Sequence, residues 1–108
     1  MAAVNTVMQD KVYKIFTESE WKLFQETGQF KGSADDLRDG FIHLSTEQQV
    51  AGVIDKFFSG VHPLYVAEFS GPGFMRRLKW EASLSNELYP HLYNSTLLVS
   101  EVVSLVLL

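Results

Sequence analysis

Apolar and polar residues follow two periods along this chain, and the switches between them mark its elements. Val12-Tyr13-Lys14-Ile15-Phe16 is rich in β-branched and aromatic residues and predicts a first strand. Thr17, with Glu20 three residues on, matches a capping box, so a helix is predicted from there to about Glu26, stopping at Gly28. Trp21 and Phe24 form its apolar side, with Leu23 beside them. From Gly28 to Gly40 the chain turns polar and rich in Gly and Asp, which predicts a long loop of the kind that often carries function. Asp39-Gly40 is turn chemistry, and Phe41 to Ser45 then reads as extended. Alternation along a strand places Phe41, His43 and Ser45 on one face and leaves Ile42 and Leu44 for the core.

Two overlapping cap signatures follow, Ser45 with Gln48 and Thr46 with Gln49. Val50, Val53, Ile54, Phe57 and Phe58 recur at helical spacing and predict a second helix, with Gly60 as its end. Leu64 to Phe69 predicts a strand, and Gly71-Pro72-Gly73 a break. Leu78 to Glu81 predicts a short strand with Leu78 and Trp80 inward and Lys79 and Glu81 on the opposite face. In an extended Tyr89-Pro90-His91-Leu92-Tyr93, the residues Tyr89, His91 and Tyr93 share a face. The run from Leu97 to Leu108 is nearly continuous in apolar residues, which predicts one or two strands buried on both faces. Strands with two main helices between them give an α+β fold with a mixed, twisted sheet.

Length and composition narrow the picture. The 108 residues fit one domain, taken here as residues 11–108 after an N-terminal tail over 1–10. A net charge of -4 argues against non-specific nucleic-acid binding, although Arg76, Arg77 and Lys79 form a local basic spot able to meet one phosphate. The chain has no cysteine, which excludes disulfides and thiolate chemistry and suits a cytoplasmic protein. Met1 to Asp10 lacks the pattern of a secretory signal, and the apolar tail from Val99 is too short and interrupted to span a bilayer, so no membrane partner is expected.

The chemistry-bearing residues are few. His43 stands two residues from Ser45, and His91 two residues from Tyr93; Glu81 follows Trp80. Histidine can act as acid or base near neutral pH when a partner fixes its tautomer. A carboxylate beside an indole is a candidate for a perturbed pKa. Each residue also has a plain structural use: Ser45 as a helix cap, Tyr89 and Tyr93 as rim aromatics, Glu81 as a partner of Lys79, and His62 before Pro63 as a turn residue. Three chemistries fit the residue types. His43, His91 and Glu81 have zinc-ligand chemistry but no zinc spacing signature. A Ser-His-acid hydrolase would need Gly-x-Ser-x-Gly, which is absent. A nucleotide pocket needs aromatic walls and a few converging polar groups.

The series Val12-Tyr13-Lys14-Ile15, Glu20-Trp21, Asp39-Gly40-Phe41-Ile42-His43-Leu44-Ser45-Thr46 with Gln49-Val50, Leu78-Lys79-Trp80-Glu81 and Tyr89-Pro90-His91-Leu92-Tyr93 resembles the bacterial domain-of-unknown-function family 952. The likeness runs from about Lys11 onward, in order. It implies a small ADP-ribosyltransferase-like fold, with two short sheets at an angle around a cleft that holds NAD in active relatives. More distantly, the chain is similar to the catalytic half of the tRNA 2'-phosphotransferases, where Lys14 stands in place of the His that contacts the NAD ribose. The resemblance implies an enzyme acting on NAD, ADP-ribose or a related nucleotide metabolite; no metal is expected. His43, Glu81 and His91 would be catalytic, and Ser45, Thr46, Trp80 and Tyr93 would bind ligand. The alternative is a non-catalytic small-molecule or protein-binding module on the same fold. Neither reading sets an oligomeric state.

Overall fold

Strand β1 (Lys11–Thr17) opens the computed structural model, which describes residues 10–108. The expected N-terminal tail lies outside the described residues except for Asp10. Thr17 ends the strand and caps helix α1 (Glu18–Thr27): its hydroxyl accepts from the Glu20 N–H, and the Glu20 carboxylate accepts from the Thr17 N–H. Gly28 closes the helix in the left-handed conformation, φ 78°, which a side chain would strain. Trp21 and Phe24 are buried as expected, whereas Leu23 points to solvent on the other side of the helix.

The predicted long loop over residues 28–40 is instead structured. It contains strand β2 (Gln29–Phe30) and helix α2 (Ala34–Asp39). Ser33 caps α2, and Asp36 returns the bond to the Ser33 N–H. The helix is short and polar, so it lacks the apolar stripe that betrays a helix in sequence.

Strand β3 (Ile42–His43) follows, then helix α3 (Glu47–Phe57). Of the two cap signatures, the chain uses the second: the Thr46 N–H donates to the Gln49 side chain at 3.0 Å. The helix ends at Phe58 rather than Gly60, and Phe57 is exposed. Strand β4 (Leu64–Ser70), helix α4 (Pro72–Met75), strand β5 (Leu78–Ala82), strand β6 (Leu88–Leu92), strand β7 (Leu97–Leu98) and strand β8 (Ser104–Leu107) complete the order.

The strands form three small sheets, ordered β1-β4-β8, β3-β6-β5 and β2-β7. Every pairing between them is antiparallel, so the expected mixed sheet is replaced by separate antiparallel ones. Among the described residues, backbone pairing joins the two three-stranded sheets at one residue pair: Tyr13 and Ser45 exchange two hydrogen bonds, of 2.7 and 2.9 Å. Phe16, Phe24, Phe69, Ile42, Leu92 and Leu97 lie in one core that both sheets share. A second cluster of Ile15, Leu64 and Val66 receives the apolar stripe of α3.

The C-terminal run departs most from expectation. Instead of being buried on both faces, β8 is the last strand of its sheet, with Val106 52% and Leu107 61% exposed. An apolar run reads the same in sequence whether its strand is central or at an edge. Among the described residues no helix is long and apolar enough to cross a membrane.

Candidate functional site

Asp36 organises the site. It is almost fully buried, and its carboxylate accepts from four donors. These are the Ser33 N–H at 2.9 Å, the Lys14 ammonium at 2.9 Å, the His43 N–H at 3.1 Å and the His43 ring Nδ1 at 2.6 Å. Lys14 is buried too, and also donates to the His43 carbonyl at 3.0 Å. Burial alone would raise the Asp36 pKa; the hydrogen bond from His43 and the charge of Lys14 outweigh it and hold the carboxyl well below the usual range. Asp36 is therefore ionised and can only accept, so the proton between it and His43 sits on Nδ1.

A second pair repeats the pattern. His91 Nδ1 lies 2.7 Å from Glu81, and the Tyr93 hydroxyl donates to the same carboxylate oxygen at 2.6 Å. The Tyr93 hydroxyl first, then His91, lower the Glu81 pKa. Ionised Glu81 can only accept, so His91 Nδ1 carries the proton between them, and in the neutral imidazole Nε2 holds the lone pair. Among the described residues that nitrogen has no hydrogen-bond partner, whereas His43 Nε2 lies 3.1 Å from Asp39.

Strand register brings the two histidines together. His43 and His91 are directly paired between β3 and β6, with ring centroids 5.5 Å apart. The Phe41 ring stacks on His91 at 4.0 Å and also touches His43 and Tyr93. The face predicted for Phe41, His43 and Ser45 thus holds the imidazoles, and Ile42 and Leu44 are buried as expected.

Both rings line a cavity of about 550 Å³. Lys14, Asp36, Asp39 and Ser45 contribute polar surface. Helix α3 with Phe58 at its end, the β5–β6 turn and strand β6 contribute a mostly apolar wall that includes Val53, Phe57, Phe58, Leu84 and Tyr89. Gly52 also faces this space. A glycine inside a helix costs about 0.5–1 kcal/mol relative to alanine, and here a Cβ would meet nothing within 4 Å.

The predicted site residues divide into three groups. His43, Ser45 and His91 line the cavity. Glu81 and Tyr93 contact His91 without lining it. Trp80 packs against the core, and Thr46 is the buried cap of α3. Ser45 bonds Tyr13 through its backbone rather than capping the helix. Arg77, from the predicted basic spot, is tied to Glu101 and Ser95 at 2.6 Å each. No group of three metal-ligating side chains forms among the described residues. His43 and His91 direct Nδ1 at different carboxylates, Asp36 and Glu81. Sequence reasoning missed Asp36 and Gly52. The Ser33-x-x-Asp36 spacing was the available signal for Asp36; nothing in sequence marks Gly52.

No match was found among curated proteins. The crystal structure of protein CC0527 from Caulobacter crescentus has a TM-score of 0.83 and 41% identity, covering 90% of this chain and 84% of its own. A double mutant of the same protein matches equally well. The solution NMR structure of CC0527 gives a TM-score of 0.77 at 42% identity, with coverage of 89% and 82%. A family model described as "Protein of unknown function (DUF952)" matches residues 15–105, and the chain belongs to that family.

Proposed function

We propose that this protein is an enzyme acting on NAD, ADP-ribose or a related nucleotide metabolite, with His91 as its acid/base group. The observation that carries the reading is the free Nε2 of a histidine whose Nδ1 is held by a carboxylate, facing a cavity with polar and apolar walls. His43, paired beside it and held by Asp36 and Asp39, orients the substrate. The Ser45 hydroxyl has no partner among the described residues and is available to a ribose or phosphate oxygen. Glu81 and Tyr93 position His91 rather than touch substrate. In this reading the two three-stranded sheets take the place of the two sheets of an ADP-ribosyltransferase-like fold.

One observation favours a non-catalytic binding module instead. Lys14 is buried and committed to Asp36, so it cannot serve as the ribose-contacting His of the NAD-dependent relatives. The experiment separates the two. ADP-ribose and NAD are screened by thermal shift, where a ligand at a hundredfold excess over its Kd adds about 2.7 kcal/mol of stability. Turnover of the ligand that binds is then followed by chromatography. His91→Asn keeps a donor toward Glu81 and removes Nε2, so it is expected to retain binding and to lose turnover by about 10²–10⁴-fold. Unchanged turnover in His91→Asn would remove the catalytic role, and binding without any turnover would leave the binding module.

A further inference from the structure

Gly52 sits inside α3 with no backbone reason to be glycine. Its φ lies outside the left-handed region, and no neighbouring segment occupies the space that its side chain would fill. Among the described residues, packing therefore gives no account of the residue, although glycine weakens the helix that carries it. The bare strip of backbone opens into the cavity. Tyr89 lines the same cavity with a half-buried ring, and the fully exposed Leu84 of the β5–β6 turn lines it as well. An apolar side chain with nothing to rest on, an aromatic ring and a missing Cβ thus border one space.

We infer that Gly52 provides clearance for a flat aromatic or heterocyclic ring laid against the backbone of α3. Tyr89 and Leu84 flank the ring, and the polar part of the ligand is directed toward His43 and His91. Without a Cβ, the ring reaches van der Waals contact with the peptide planes, and Tyr89 adds aromatic contact. A branched or long side chain at residue 52 would take the same volume. Identifying the ring as a nucleobase rests on the function proposed above; the ring subsite itself does not.

The test exploits the lack of cysteine in the chain. Gly52→Cys introduces a sole thiol, whose reaction rates with N-phenylmaleimide and N-ethylmaleimide are compared with those of glutathione. The protein thiol is expected to prefer the phenyl reagent by about fivefold over the glutathione ratio, the size of one aromatic contact. An equal ratio overturns the subsite. In a second arm, wild type and Gly52→Leu are titrated with ADP-ribose and with ribose 5-phosphate, which lacks the ring. Gly52→Leu is expected to weaken ADP-ribose about tenfold or more, to leave ribose 5-phosphate unchanged and to melt no lower than wild type. Wild-type affinity for ADP-ribose in Gly52→Leu overturns the subsite. If wild type ignores both ligands but the thiol keeps its aromatic preference, the nucleotide reading falls and the ring subsite stands.

Discussion

Asp36→Asn is expected to lower stability at neutral pH by about 3–5 kcal/mol, the cost of leaving a buried charge without its partner. The orphaned group is the Lys14 ammonium, which would keep only the neutral His43 carbonyl. Against a total stability of about 5–15 kcal/mol, this is a large share. The pair is asymmetric. Asp36 serves three other donors besides Lys14, so Lys14→Met leaves the carboxylate well supported and is expected to cost less. The double variant Lys14→Met with Asp36→Asn has no unpaired charge, and its loss is expected to fall short of the sum of the single losses. Urea denaturation of the four proteins reads all of this, and strict additivity would show that the pair does not couple.

The same residue sets an acid limb. The Asp36 pKa is depressed in the folded state, whereas the unfolded chain takes up its proton near the ordinary value of 3.8. Its contribution is therefore complete above that value and is lost as the pH falls from there toward the lower folded pKa. Stability of the wild type should drop through this window, and Asp36→Asn should show a shallower drop. Parallel curves for the two proteins would mean that other carboxylates set the limb.

Phe16→Ala is expected to cost about 3–5 kcal/mol, as for other large aromatic truncations in well-packed cores. Phe16 is fully buried, and its ring meets Trp21, Phe24 and Phe30 with centroids 5.0–5.4 Å apart. These rings come from α1 and β2, so the cavity left behind would be bordered by two separate elements. Neither of them carries a site histidine. The variant is thus expected to melt early while retaining whatever ligand response the wild type shows at low temperature. An exposed control, Phe57→Ala, should change stability by no more than about 0.5 kcal/mol. Equal losses in the two variants would contradict the burial described for Phe16.

Much of this architecture was legible from local rules. The Thr17 capping box, the Gly28 stop, the apolar stripe of α3 and the alternation at Phe41 to Ser45 each depend on neighbours in sequence, and each stands in the structure. The pairing of His43 with His91 is different, because strand register across 48 positions leaves no local trace. Helix α2 escaped because Ala34–Asp39 buries little, and its stability comes from capping and from Asp36. The C-terminal run misled because hydrophobicity reports a preference for burial, while strand order decides whether a partner exists. The site followed the same division. His43 and His91 stood out by type, but the carboxylate that holds His43 came from a stretch read as loop.

The one-residue seam between the two three-stranded sheets has a dynamic consequence. Among the described residues, besides the shared core and the Lys14 side chain, backbone bonding links them through Tyr13 and Ser45 alone, whereas seven register pairs join β1 to β4. Regions joined so unequally open as separate cooperative units, each with its own free energy. In native-state hydrogen exchange, the amides of β4 should report global unfolding. Those of Tyr13 and Ser45 should exchange earlier and together, marking the event that parts the histidine-bearing sheet from the rest.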